Sequence, residues 1–181
     1  MRKIILNLAI SLDGYIADSD GGFAWIKGDG DNGNDTKKQF NFPGFTDSID
    51  TIVMGKSAYL DCPAETMESL KTKKIYVATH KSLEKKYDNV EFISGDVCGK
   101  ILDLRKKSGK DIWLWGGAFL VDPFIKADVI DEYVIGIIPI ILGEGKPLFL
   151  GGNIPIELRL NECTVQEGIT ILRYMKRLEK A

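Results

Sequence analysis

The stretch Asp111–Asp122, DIWLWGGAFLVD, constrains the fold of this chain more than any other. An apolar run, Ile112-Trp113-Leu114-Trp115, stops at Gly116-Gly117 and resumes at once as Ala118-Phe119-Leu120-Val121. The first run, bounded by Asp111, is too short for a helix and reads as a buried strand. The second reads as the first turns of a helix. Two glycines at such a junction let the backbone turn sharply and leave no side chain between it and a ligand. The free N–H groups of the new helix face that gap, which suits a phosphate. A tight strand-to-helix turn that holds nothing is the other reading.

Other segments repeat the strand-then-turn pattern. Lys3–Leu12 is a nearly continuous apolar run, as expected of a central strand covered on both faces. The same run, with Arg2-Lys3 ahead of it, could mimic a signal peptide. Asn7 and Ser11 interrupt it, however, and Asp13-Gly14 arrives before any small-residue cleavage site. Asp13 is either the first group at the strand's carboxyl end able to do chemistry or a turn residue bonding its own backbone. Thr51–Met54 is a second strand, followed by Gly55-Lys56-Ser57. A nucleoside-triphosphate loop would need glycine at position 50, which is Asp50, so a simpler strand-to-helix turn remains. Lys56 there could reach a phosphate or be a solvated charge. Lys74–Thr79 is a third strand, ending in Thr79-His80-Lys81-Ser82, a cluster suited to a phosphate monoester, although a lone His is usually no catalyst. Val90–Ile93 follows as a fourth.

Helices are expected at Asp96–Ser108, capped by Ser94 or Asp96 and stopped by Gly109, and at Ala118–Lys126, with Pro123 in the first turn or at a kink. Ile130–Pro139 reads as a long strand, and Gly143-Glu144-Gly145-Lys146 as a turn closing the site. Ile156–Gln166 and Ile169–Lys176 read as a hairpin about Glu167-Gly168. Between the first two strands, Thr36–Asp50 carries weak helical signals broken by Pro43-Gly44. Asp18–Asp35 crowds Gly and Asp around Phe23-Ala24-Trp25-Ile26. Its Gly28-x-Gly30-x-x-Gly33 matches the dinucleotide fingerprint in letters only, because no strand feeds it and Asp29, Asp31 and Asp35 would repel a pyrophosphate. A calcium loop counted from Asp29 fails as well, with Phe40 where Glu is required. A mobile flap with Trp25 on its inner face and an exposed disordered loop both fit.

Strands alternating with helices, several ending in Gly-led turns at one edge, make an α/β sheet, mixed because of the terminal hairpin. Its 181 residues suit a single domain, 1–181. A formal charge of −2 offers no basic face for nucleic acid, and no apolar segment reaches membrane-spanning length. Three scattered cysteines and one histidine give neither a metal site nor a disulfide framework, which fits a cytoplasmic setting.

Four motifs then stand in order: Ile10-Ser11-Leu12-Asp13-Gly14-Tyr15-Ile16-Ala17, Val53-Met54-Gly55-Lys56-Ser57-Ala58-Tyr59, Trp115-Gly116-Gly117-Ala118, and Asp131-Glu132 with Pro139 and Leu142–Phe149. Together they resemble the dihydrofolate reductase-like superfamily, in the branch shared with the riboflavin-biosynthesis (pyrimidine) reductase domain. The resemblance implies a three-layer α/β/α fold with a mixed, mostly parallel sheet, NADPH as cofactor, a small-molecule substrate and a homodimer. Gly55-Lys56-Ser57 and Thr79-His80-Lys81 would then hold the adenosine-side phosphates, and Gly116-Gly117-Ala118 with the following Phe119 and Leu120 the pyrophosphate. Ala9, Gly14 and Ile16 would lie near the nicotinamide, and Asp13, Trp25 and Glu144 would border the substrate. Lys38-Gln39-Phe40-Asn41 has no carboxylate where dihydrofolate reductase keeps an acid, which argues against folate. Lys56 stands where arginine is commoner and gives a point charge instead of a fork. The implied chemistry is hydride transfer from the nicotinamide to an electron-poor C=N or C=O of a heterocyclic (pteridine- or pyrimidine-like) or ribosyl substrate. Asp13, if desolvated by Trp25, would have a raised pKa and donate the proton, and water is the alternative donor. A nucleotide-binding module without turnover is the competing reading.

Overall fold

In the computed structural model, which describes residues 1–177, the first apolar run forms β1 (Ile4–Ser11) and the piece after the Asp13-Gly14 turn forms β2 (Tyr15–Ala17). After the Asp/Gly loop come α1 (Phe42–Ser48) and β3 (Ile49–Gly55), and β3 runs directly into α2 (Lys56–Leu60). Next are α3 (Ala64–Ser69), β4 (Lys74–Ala78), β5 (Val90–Ile93) and α4 (Val97–Arg105). The chain continues through β6 (Asp111–Gly116), α5 (Ala118–Lys126) and β7 (Glu132–Ile138). It finishes with β8 (Lys146–Pro147), β9 (Leu158–Gln166) and β10 (Ile169–Lys176).

The main sheet has the order β5-β4-β3-β6-β1-β7-β10-β9. Its first six strands are parallel, and β10 then runs antiparallel to both β7 and β9. The expected mixed, mostly parallel sheet with a terminal hairpin is therefore present. Because β1 lies between β6 and β7, Ile4, Ile5 and Leu6 are buried whichever face they point to, which explains the lack of alternation. The β9–β10 turn is closed by Glu167 and Gly168, both at positive φ, as tight hairpins require.

Two apolar layers hold the helices to the sheet. On one face Leu120, Val121, Phe124 and Ile125 of α5 and Ile101 of α4 cover Leu6, Val53, Leu114 and Ile135. On the other, Phe45 of α1, Tyr59 of α2 and Met67 of α3 cover Ile52, Met54, Val77 and Trp113. Each fully buried Leu, Ile or Phe among them contributes about 1.5–3 kcal/mol.

Several boundaries differ from expectation. Pro43 does not break a helix; it opens α1 in the first turn, where its missing N–H costs nothing, and the Asn41 side chain accepts from the Gly44 N–H at 2.9 Å. The helix expected over Asp96–Ser108 is shorter, ending at Arg105, and Asp96 rather than Ser94 caps it, accepting from the Gly99 N–H at 2.8 Å. Pro123 sits beyond the first turn of α5. Helix α3 and the small β2–β8 pairing were not expected at all.

Charges gather at the amino-terminal edge of the sheet. The buried Arg2 guanidinium donates to the Lys110 carbonyl, to Asp50 and, at 2.7 Å, to the Thr51 hydroxyl. Arg105 meets Asp131 at 2.7 Å. The fully buried Glu132 takes Lys3 at 2.6 Å and Arg173 at 2.5 and 2.8 Å. That edge is closed, and the carboxyl edge is open. Among the described residues no helix is long and apolar enough to cross a membrane.

Candidate functional site

A cleft of about 1650 Å³ opens along the carboxyl edge, and its two ends differ in chemistry. At one end the β3–α2 and β6–α5 junctions lie side by side. Gly117 is the N-cap of α5 at φ +98, and Gly116 before it has φ +134, so the turn depends on residues without a Cβ. A Cβ on Gly117 would come 3.9 Å from the Gly55 Cα, and one on Gly55 would come 3.6 Å from the Gly116 carbonyl oxygen. Neither Gly55 nor Gly117 can cap its helix with a side chain, so the N–H groups that open α2 and α5 have no side-chain acceptor, and in α5 only that of Leu120 turns back to the Gly117 carbonyl, at 2.9 Å. By contrast α4, whose first residues also line the cleft, is capped by the Asp96 carboxylate. The glycine junctions fit an anion, and the α4 terminus does not.

Many of the residues expected to hold a cofactor meet here. Gly55, Lys56, Ser57, Gly116, Gly117, Ala118, Phe119 and Leu120 all line the cleft, as do Ala9 and Ile16 further along. Thr79 and His80 line it too, at the end of β4, but Lys81 does not. The Thr79 hydroxyl is engaged by the Lys81 backbone, accepting from its N–H at 3.0 Å and donating to its carbonyl at 3.2 Å. Gly14 lies outside the lining.

The other end is an apolar slot over β1, β7 and β10. Ala9, Gly136 and Ile171 stand in one cross-strand row, with Ile138 and Ile169 beside them. Trp113 and Trp115 stack at 4.2 Å, and Phe42 meets Trp113 edge-on at 5.9 Å. Phe23 and Ile26 complete the wall from the Asp18–Asp35 loop. Asn7 lines the same cleft. In the sequence Asn7 reads only as an interruption of an apolar run, and Gly136 as one residue within a long strand. A polar residue in the middle of a strand buried on both sides was the available signal.

Three residues expected at the substrate stand elsewhere. Trp25 turns away from the cleft and donates its indole N–H to the Gly22 carbonyl at 3.2 Å, so Phe23 and Ile26 take the inner positions. Glu144 is exposed and lines nothing, whereas Gly145, Lys146 and Pro147 do reach the cleft. Asp13 is fully solvent-exposed and lies outside the lining. Its carboxylate accepts from the Ser11 hydroxyl at 2.6 Å and from the N–H groups of Gly143 at 2.8 Å and Leu142 at 3.2 Å. The hydrogen bond from Ser11, reinforced by these backbone donors, holds its pKa below the usual carboxylate value. The expected raised pKa is therefore corrected: the hydrogen bond from Ser11, with those from Gly143 and Leu142, outweighs the desolvation of Asp13, and the carboxylate pins two loops together.

Asp29, Asp31 and Asp35 of the Asp18–Asp35 loop are engaged by backbone N–H groups, whereas Asp20 lines the cleft. Asp29 accepts from the Asp31 N–H and Asp31 from the Gly33 N–H, each at 2.8 Å, and Asp35 accepts from the Glu167 N–H at 2.7 Å. The Asp29 N–H to the Glu167 carbonyl and the Thr36 N–H to the Val165 carbonyl, at 2.9 and 3.0 Å, tie the loop to the β9–β10 hairpin. Among the described residues no group of His, Cys, Asp and Glu is placed to hold a metal ion.

Comparison with known proteins supplies a family. The family model for the RibD C-terminal domain matches residues 52–171. Two Bacillus subtilis (strain 168) proteins, the uncharacterised YyaP and YwjB, are 35% and 37% identical over 96% and 97% of this chain and 94% and 98% of their own. Among solved structures, a Shewanella sp. PV-4 protein with a provisional riboflavin-biosynthesis name is similar at 27% identity and a TM-score of 0.76, over 98% of this chain and all of that one. A Thermotoga maritima diaminohydroxyphosphoribosylaminopyrimidine deaminase/5-amino-6-(5-phosphoribosylamino)uracil reductase gives 0.69 at 15% identity, over 97% of this chain and 57% of that chain. Dihydrofolate reductase from Enterococcus faecalis, complexed with NADP(H), gives 0.61 at 16% identity over 96% of each. The last two likenesses establish a shared fold.

Proposed function

The chain belongs to the RibD C-terminal domain family of the dihydrofolate reductase-like superfamily, and from that premise we propose that it is an NADPH-dependent reductase of a small heterocyclic, pteridine- or pyrimidine-like, or ribosyl substrate. The observation that carries this reading is the pairing, in one cleft, of an anion-seeking end with a flat apolar end. Gly55, Gly116 and Gly117 leave room and free N–H groups for phosphates, and Lys56 adds a positive charge beside them. Ala9, on the floor of the apolar end, and Ile16 suit the nicotinamide. The nicotinamide, when bound, supplies the reducing equivalent. The protein's part is to align ring against ring and to exclude bulk water with the Phe23–Ile26 segment. With Asp13 held as an anion outside the lining, water in the open cleft is the proton source.

Titration of the protein with NADPH and with NADH, followed by the fluorescence of Trp113 and Trp115, tests the reading. Tight binding of NADPH and weak binding of NADH is the expected result, and no binding of either would remove it. A second reading, a nucleotide-binding module without turnover, is favoured by one observation: the carboxylate best placed by sequence, Asp13, is committed to backbone donors. Oxidation of NADPH on addition of a pteridine or pyrimidine would exclude that module.

A further inference from the structure

Asn7 is out of place as a structural residue. It lies in the middle of β1, between strands that bury its neighbours, and its side-chain nitrogen is buried with no hydrogen-bond partner among the described residues. A buried amide N–H left unpaired is costly, so a fold seldom retains one without a use. Two tyrosine hydroxyls, of Tyr59 and Tyr133, are also unpartnered, but neither lines the cleft and Asn7 does. The backbone carbonyl of Asn7 is taken by the Trp113 indole at 2.8 Å, which anchors the aromatic wall beside it and leaves the carboxamide free.

The surroundings define what could meet that carboxamide. The next row of the floor, Ala9 and Gly136, carries the smallest side chains available, so a ring can lie close to the sheet. The Trp113–Trp115 stack and Phe42 offer flat faces and edges of the kind that receive aromatic rings. On this face of the sheet Lys3 and Arg173 are both held by Glu132. Lys146 is exposed, its ammonium lying against Gly21, one residue from Asp20. Among the described residues the lysines that line the cleft are Lys56, at the glycine end, and Lys146, and neither stands on the floor beside Asn7.

We propose that Asn7 is the residue that reads the substrate: its carboxamide meets the lactam edge, or ring carbonyl, of a neutral planar heterocycle lying in the slot, without a substrate phosphate. A carboxamide presents one donor and one acceptor in a plane and so matches a lactam edge with two hydrogen bonds. The assignment rests on the reductase reading above and narrows its substrate class.

The test is calorimetric titration of the NADP⁺-saturated protein and of its Asn7→Leu variant. The probes are lumazine, pterin and 5-amino-6-(5-phosphoribosylamino)uracil. The wild type is expected to bind lumazine or pterin at least tenfold more tightly than the phosphoribosyl compound. Asn7→Leu keeps the branched outline of the side chain and removes the amide. It should bind NADP⁺ as before, lose about tenfold in affinity for the ring, and melt at a higher temperature. A lower melting temperature would mark Asn7 as a structural residue and overturn the proposal. Unchanged ring binding by the variant, tighter binding of the phosphoribosyl compound, or NADP⁺ binding with none of the neutral rings bound would overturn it also, leaving the reductase reading intact. Failure to bind NADP⁺ would instead remove the reductase reading and the proposal with it.

Discussion

The two junctions can be separated by a pair of alanines. Gly117 holds φ +98, a region an L residue enters at a cost of about 1–3 kcal/mol. There is space for its Cβ, with the Gly55 Cα 3.9 Å away, so the whole cost is backbone strain. At about 2–4 °C per kcal/mol for a chain of this size, Gly117→Ala should melt roughly 2–12 °C below the parent. Gly55 is different. Its φ is −76, its added Cβ would meet the Gly116 oxygen at an ordinary 3.6 Å, and it is already an uncapped N-cap. The loss of roughly 0.5–1 kcal/mol at the cap is offset by about 0.4–1 kcal/mol from a less flexible unfolded chain. Gly55→Ala should therefore melt within about 2 °C of the parent. Its methyl group nonetheless stands between the junctions, where the phosphates of NADPH are proposed to sit. A loss of tenfold or more in affinity, about 1.4 kcal/mol, is expected from the obstructed approach. Differential scanning calorimetry and NADPH titration on the two variants give both numbers. A Gly55→Ala protein with parental melting and parental NADPH affinity would refute the placement of the phosphates, and a Gly117→Ala protein with parental melting would refute the strain argument.

Two further outcomes concern charged groups. Burial alone would raise the pKa of Glu132, but the hydrogen bonds and charges of Lys3 and Arg173 outweigh it and hold the pKa below the ordinary 4.5. A depressed folded pKa means that the stabilisation is complete above the unfolded value and is lost as pH falls through the folded one, so acid unfolding should set in below about pH 4.5. Glu132→Gln should cost about 2–3 kcal/mol at pH 7, short of the 3–5 of a fully buried pair because both cations reach water, and should flatten the acid limb. Urea unfolding at pH 7 and pH 4 measures this, and an unchanged pH dependence would contradict it. Asp13→Asn should leave NADPH binding unaltered and speed hydrogen exchange at the Leu142 and Gly143 amides, which it now accepts from. Loss of cofactor binding with protected amides would show that Asp13 serves the cleft after all.

The parts of the fold that the chain announces are those governed by local or repeated physics. Apolar runs stopped by glycine marked β1, β3, β6 and the start of α5, and Glu167-Gly168 marked the hairpin. Legibility failed where a residue's meaning depended on a distant partner. Pro43 looked like a breaker because nothing local says whether a proline ends a helix or opens one; the Asn41 cap decides it. Asp13 looked acidic and available because its partners, Leu142 and Gly143, lie far along the chain. Trp25 and Phe23 could not be told apart, since a loop has no periodicity to say which side chain turns inward. The cofactor end was readable because backbone geometry holds it and glycines advertise that. The slot was not, because side chains from four strands, from α1 and from a loop build it.

The position of β1 has a consequence for how the chain comes to fold. Its nearest neighbours in space are β6 and β7, and Ile4 is registered with Ile112. During synthesis the most apolar strand of the sheet therefore emerges long before either strand that will flank it, while β3, β4 and β5 can already pair among themselves. A lateral half-sheet forms early and is later parted from β1 by a single inserted strand, β6. Sheets closed by such distant pairings fold slowly and leave sticky edges exposed in the interval. Until Asp111–Gly116 has been made, β1 of a nascent chain has neither of the strands that flank it in the folded sheet.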